Sequence, residues 1–267
     1  MQNKYRECLS GWFKVSAAGL VRTRNEDALL SLPENGLFAI SDGMGGASAG
    51  EVASQIITAG LRKMSGMEQE SPGERKYLLH QTLHKVNAEI AQYAEAHKFD
   101  AMGATAVVLL LNPWDAGKAD ICNIGDSRCY CYRKEELFLL TEDHILSDRP
   151  DKKHILTNYL GGKAMMSADW NQVSVCPGDR FILCSDGLSS VVAEEHIREI
   201  LSEDADAEKT VRRLEEAVLK AGAPDNYSII CLDMAEELPG KAEVSEEDRK
   251  ESEYLYRIAE RRKDYGR

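Results

Sequence analysis

Residues 39–46 read AISDGMGG: Ala39 and Ile40 continue an apolar run begun at Leu37, and the run ends at Ser41 and Asp42, with glycine on three of the next four positions. A strand-like stretch therefore delivers a carboxylate to its own end. The triplet returns as Ser185-Asp186-Gly187, after Arg180-Phe181-Ile182-Leu183-Cys184. One Asp-Gly is an ordinary hairpin turn. A second one in the same setting asks for chemistry at strand ends.

Two more aspartates share that setting. Asp126 follows the run ICNIG, and Asp225 sits in Pro224-Asp225-Asn226 just before Tyr227 to Leu232. Each stands where a strand begins or ends, beside Gly, Pro or Asn, so all four can reach one rim of the sheets. Two carboxylates about 4 Å apart repel by about 4 kcal/mol at an effective dielectric near 20, so a convergent cluster would protonate or recruit a cation. No histidine or cysteine stands at these positions, so the ligands would be all oxygen, which selects Mg or Mn over zinc or copper. With no side chain at Gly43, its backbone carbonyl can approach such an ion.

The chain of 267 residues is 43% hydrophobic, long enough for one large core. Its 45 acidic residues against 33 basic ones give a net charge of −12, which argues against nucleic acid or an anionic membrane as partner. The start MQNKYRECLSGWFKV lacks the apolar core of a signal peptide, and no stretch is long enough for a membrane span. A cytoplasmic monomer is the expectation. Seven cysteines, several inside apolar runs such as Cys176, Cys184 and Cys231, read as buried thiols rather than disulfides. Cys129 and Cys131 form a C-x-C without the C-x-x-C partner of a zinc site.

Patterning predicts strands near 12–16, 28–31 and 36–41, a helix capped by Ser48, and a second opening at Ser71-Pro72. In the second, Leu79, Leu83, Val86, Ile90 and Tyr93 form an amphipathic stripe. Strands follow at 104–111, 119–124, 128–132 and 137–140, then an irregular stretch over 141–171, strands at 172–176 and 180–185, helices at 193–201 and 206–221, and a strand at 227–232. Strands in runs and helices in pairs predict an α+β fold of antiparallel sheets covered by helices. The domain should span 1–235. A charged tail, 236–267, follows, with SEED at 245–248 as a capping box for a short helix that carries Tyr254, Leu255 and Ile258 on its apolar side. Docking on the domain is expected of it, with a partner-binding or frayed tail as the alternatives.

The stretches GLVRTRNED (19–27), SDGMGG (41–46), MGATAVV (102–108), NIGDSR (123–128), LTEDH (140–144), GDRFILCSDGL (178–188) and PDN (224–226) resemble, in family order, the metal-dependent protein phosphatases of the PPM, or protein phosphatase 2C, family, in the form of its bacterial branch. The resemblance implies a four-layer α-β-β-α sandwich, two antiparallel sheets flanked by helix pairs. It implies two Mn2+ or Mg2+ ions bridged by Asp42, with the Gly43 carbonyl on one and Asp186 and Asp225 on the other, and a weaker third ion at Asp126. Glu26 and Asp27 match an acidic pair that holds metal-bound water, Arg22 the arginine that grips phosphate, and Asn226 a residue that orients its neighbour. The implied reaction is hydrolysis of phosphoserine and phosphothreonine in proteins, by direct attack of a metal-bridging hydroxide and with no covalent phosphoenzyme. The planar fork of Arg22 suits two phosphate oxygens; Arg24 reads as solvated.

Two positions depart from the pattern. Many relatives carry histidine after the Asp-Gly as a general acid, whereas this chain has Met44, which has no proton to donate. A metal-bound water, or no general acid, must serve. Between His144 and His154 only nine residues stand where bacterial relatives carry a longer flap, which puts flap-dependent substrate choice and the third ion in doubt. Asp148 and Asp151 read as exposed loop charges, and both histidines as structural. Two rival readings are a non-catalytic scaffold that binds phosphoproteins, which should have lost a metal ligand, and a dinucleotide-binding enzyme, for which Gly43-x-Gly45 between strand and helix is a weak signal.

Overall fold

The computed structural model of the chain describes residues 4–45, 49–66, 70–112, 117–146, 155–162 and 166–238. In chain order the elements are α1 (Lys4–Glu7), β1 (Leu9–Ala17), β2 (Ala28–Leu32), β3 (Leu37–Ser41), β4 (Gly43–Met44), α2 (Ala49–Arg62), α3 (Pro72–His97), β5 (Gly103–Ala104), β6 (Ala106–Asn112), β7 (Lys118–Ile124), β8 (Arg128–Arg133), β9 (Glu136–Leu139), β10 (Asp169–Ser174), β11 (Arg180–Cys184), α4 (Asp186–Ser189), α5 (Glu194–Ser202), α6 (Ala207–Lys220) and β12 (Tyr227–Met234). A single 3-10 turn, Pro33–Asn35, leads into β3.

Two five-stranded sheets run in the orders β1-β12-β11-β8-β9 and β10-β7-β6-β3-β2, with every pairing antiparallel. Alternation along the strands divides the interior into three slabs. Leu37 and Ala39 of β3 pack with Ile57, Leu83 and Ile90 of α2 and α3. Their neighbours Phe38 and Ile40 point the other way and meet Phe181, Leu183 and Ile230 of the opposite sheet. Beyond that sheet, Ile182, Cys184 and Ile229 pack on Val211, Leu214 and Val218 of α6 and Ile197 of α5. The result is the expected four layers, α-β-β-α. Because both faces of the central strands are covered, they read as unbroken apolar runs although the sheets are antiparallel.

The helices form for the anticipated reasons. Ser71 caps α3 through a capping box with Glu74, and Pro72 occupies its first turn. Leu79, Leu83, Val86 and Ile90 are buried, with Tyr93 partly so. Where α2 crosses α3, a Cβ on Gly60 would lie 2.3 Å from Val86 Cγ1, so glycine sets the closeness of the two helices. All seven cysteines are buried and none forms a disulfide, and Cys129 and Cys131 face the core between the sheets.

Differences lie at the short pieces. The β4–β5 ribbon pairs Gly43 with Ala104 and Met44 with Gly103; two-residue strands leave no periodic signal. The one-turn helices α1 and α4 are too short for one as well. β10 begins at Asp169, not 172, because its outer half alternates exposed polar residues with the half-buried Trp170. After β12 the Ala235 N–H donates to the Cys8 carbonyl at 2.9 Å, and Leu238 is buried in the inter-sheet core. Ser48, the short flap with Asp148, Asp151 and His154, and the tail from 239 onward lie outside the described residues. No helix among the described residues is long and apolar enough to cross a membrane.

Candidate active site

Asp42 leaves the end of β3, and the neighbouring strand-end residue Thr105 fixes its backbone. The Asp42 N–H donates to Thr105 Oγ1 at 2.9 Å, the Thr105 N–H donates to the Asp42 carbonyl at 2.9 Å, and Ser41 Oγ donates to the Thr105 carbonyl at 2.7 Å. Ser127 Oγ lies 2.7 Å from Thr105 Oγ1, tying the Asp126 loop to the same point. The main chain of Asp42 is thus held on both sides while its carboxylate stays free. Gly43 is required by packing: a Cβ there would lie 2.1 Å from the Gly50 carbonyl oxygen and 2.6 Å from that of Glu26. The turn after Asp42 sits directly on the first turn of α2.

Asp186 opens α4 at the end of β11, and Asp225 precedes β12. The two are brought together by contact between Gly187 and the 225–226 turn, since a Cβ on Gly187 would fall 1.9 Å from the Asn226 carbonyl oxygen. Asn226 is a latch. Its Nδ2 donates to the carbonyls of Ala18 (3.0 Å) and Arg24 (2.7 Å), and its Oδ1 accepts from the Glu26 N–H (2.8 Å). It therefore positions the whole 18–26 loop, and with it Arg22, Glu26 and Asp27. Asp27 is buried; its Oδ2 accepts from Ser185 Oγ at 2.8 Å, and Ser185 Oγ accepts from the Ser228 N–H.

The electrostatics are those of a cluster with too much negative charge. Burial, then Asp27, Asp186, Asp126 and Asp225 in turn, push Asp42 well above the usual carboxylate range. Burial pushes Asp27 up to about 6 against the pull of the Ser228 and Ser185 hydroxyls. Asp126 rises to about 7 through burial and through Asp186 and Asp143, and burial also raises Glu26. Such a site is relieved by protons or by a cation.

The donor chemistry fits a hard divalent ion: every candidate side-chain ligand is a carboxylate, and Asp27 Oδ1 is buried without a hydrogen-bond partner. Among the described residues no group of three His, Cys, Asp or Glu side chains forms a finished cage. Asp225 is engaged elsewhere: its Oδ2 meets Arg22 Nη2 at 2.8 Å, and its Oδ1 accepts from the Asn226 N–H at 2.8 Å. Arg22 and Asp225, expected to serve phosphate and metal separately, are here paired with each other.

Around Asp126 the structure reveals supports that motif reading passed over. Arg128 forks onto Asp143, with Nε–Oδ1 at 2.9 Å and Nη2–Oδ2 at 2.7 Å, and its Nη1 reaches Glu194. His144 Nδ1 accepts from the Gly125 N–H at 3.0 Å, while its Nε2 lies 3.0 Å from Asp169 Oδ2. It is a brace for the Asp126 turn, as expected of a structural histidine. Arg24 is exposed. The dinucleotide alternative fails here: β3 is flanked by antiparallel partners, and Gly43 belongs to a ribbon rather than a phosphate-binding turn.

The family model described as protein phosphatase 2C matches residues 21–225, which takes in Arg22 and every candidate ligand from Asp42 to Asp225. The chain belongs to the protein phosphatase 2C family. The serine/threonine protein phosphatase PstP of Mycobacterium tuberculosis is 32% identical over 237 residues, covering 83% of this chain but 44% of PstP, so the chain spans less than half of that relative's length. The serine/threonine phosphatase stp of Listeria innocua is 30% identical over 245 residues, covering 80% of this chain and 92% of its own. Among solved structures, PppA, described as a key regulatory component of T6SS in Pseudomonas aeruginosa, superposes with a TM-score of 0.77 at 32% identity, over 85% of this chain and 99% of that one. The catalytic domain of PstP in complex with 2 manganese ions gives 0.74 at 31% identity, over 84% and 98%.

The protein phosphatase 2C chain thus brings Asp42, Asp126, Asp186 and Asp225 within electrostatic reach of one another, together with Glu26 and Asp27. Sequence reasoning missed Thr105, Ser127, Ser185 and Arg128. All four lie inside the motif stretches, and all four act on backbone or on other side chains. Only the position of their partners in space gives them meaning.

Proposed function

We propose that this chain hydrolyses phosphoserine and phosphothreonine in proteins with the help of Mn2+ or Mg2+. The observation that carries the reading is Asp42: half-buried, held by its backbone at a strand end, and pressed on by four further aspartates, in a chain of a phosphatase family. Asp42, the Gly43 carbonyl, Asp186 and Asp225 would hold two such ions, and Asp126 a weaker third. Bound divalent ions polarise phosphate oxygens and lower the pKa of bound water.

The protein's own groups do the rest. Glu26 and Asp27 accept hydrogen bonds from water at the site, and Asp27 Oδ1 has the free lone pairs to do so. Arg22, more than half exposed at its side chain, turns its fork from Asp225 to the incoming phosphate. Asn226 keeps both loops in register. Met44 gives the leaving oxygen no proton from that position, and neither the cysteines, all buried, nor any other nucleophile is assigned a covalent step. Substrates are taken to be products of serine/threonine kinases, and the protein to act in cytoplasmic signalling as a monomer.

Release of phosphate from a phosphothreonine peptide with manganese tests the reading. Activity should vanish with EDTA and fall by at least about a thousandfold in Asp42→Asn. Undiminished activity in either control would contradict it, and an inactive wild type would favour the scaffold reading.

A further inference from the structure

Few large apolar side chains among the described residues are well exposed: Leu20 and Val21, each 67% exposed, Tyr77, Ile155 and Leu219. Leu20 and Val21 alone are neighbours in sequence, and they directly precede Arg22. Single exposed apolar residues are ordinary, but an adjacent pair on a turn next to a catalytic centre is not.

That turn is rigid. Gly19 has φ +75, and a Cβ on it would lie 2.3 Å from the Asp225 carbonyl oxygen and 2.6 Å from that of Ala223. The Leu20 N–H donates to the Ala223 carbonyl at 2.9 Å. Asn226 holds the chain on either side, at Ala18 and Arg24, and Arg22 meets Asp225. The backbone is thus fixed against the metal-site turn while two aliphatic side chains are presented to water. Ordering exposed apolar groups in this way gains nothing for the fold.

We infer that Leu20 and Val21 form the contact surface for an apolar residue next to the phosphorylated serine or threonine of the substrate. The inference rests on the placement of phosphate at Arg22. Consecutive Cα atoms are about 3.8 Å apart and an extended chain advances about 3.3 Å per residue. A polypeptide whose phosphate meets the Arg22 guanidinium therefore runs its flanking residues past positions 20 and 21. With Leu20 and Val21 each 67% exposed, an apolar neighbour gains most from this pair because it buries both aliphatic side chains. The surface would select among phosphoproteins without touching the reacting atoms.

The test compares two phosphothreonine peptides, one flanked by leucine and one by serine, with p-nitrophenyl phosphate, which has no flank. Wild type should prefer the leucine peptide. The double variant L20S/V21S should lose roughly tenfold in kcat/KM on that peptide through KM, keep kcat, and turn over the other two substrates within about twofold of wild type. The conservative pair L20M/V21I should restore the preference. Equal losses on all three substrates would overturn the inference by assigning the pair a structural role, and so would a wild type blind to the flank. Arg22→Ala separates the underlying reading: it should raise KM on every substrate, and if it changes none, phosphate does not lie at Arg22 and the inference falls with that placement.

Discussion

Asp225 and Arg22 form an ion pair at 2.8 Å, with side chains 36% and 56% exposed, and the pair occupies the two groups proposed above to bind metal and phosphate. Partly exposed pairs are worth about 0.2–1 kcal/mol, so a divalent ion easily takes Asp225 from its partner. Arg22→Ala should accordingly tighten manganese binding by roughly two- to fivefold in calorimetric titration; weaker binding would show that the arginine supports the site rather than competing for it. At this scale the sequence was most informative where chemistry needs a named side chain at a strand end, as for Asp42, Asp186 and Asp225. It was silent on pairing. Nothing along the chain says that Arg22 turns toward a residue about two hundred positions away, or that Thr105 clamps the backbone of Asp42.

The elements were read through periodicity, and periodicity works where both strand faces or one helix stripe are buried. Leu79 to Tyr93 announced α3, and the apolar runs around Ile40 and Ile182 announced the central strands. The β4–β5 ribbon and α4 were invisible because two to four residues carry no period. Glycines mark these places instead. Gly187 is the clearest case, since a Cβ 1.9 Å from the Asn226 carbonyl oxygen must displace the turn that carries Asp225. Gly187→Ala should cost about 1–3 kcal/mol of stability, read by denaturant unfolding, and should weaken manganese binding well beyond that of a surface Gly→Ala control. Unchanged metal binding would mean that α4 and the 225–226 turn are not mechanically linked.

Over the whole molecule, the fold resembles a press that holds like charges together at one rim. Asp126 and Asp27, with folded values of about 7 and about 6, lie above the unfolded value near 4. Raised carboxyls mean that the folded state binds more protons, so their contribution is fully present below about pH 4 and is lost as pH rises through 6 to 7. The metal-free protein should therefore lose stability between about pH 4 and 7, the loss should shrink in Asp126→Asn, and saturating manganese should reverse it, as thermal unfolding in EDTA and in manganese would reveal. A pH-independent midpoint would contradict the cluster. The most direct test of the central claim, that Asp42 organises a divalent-metal site, is calorimetric titration of manganese into the wild-type protein and into Asp42→Asn. Saturable binding of at least two ions should be seen in the wild type and be lost or weakened by two orders of magnitude in the variant; equal binding by both proteins would place the metal elsewhere and contradict the account.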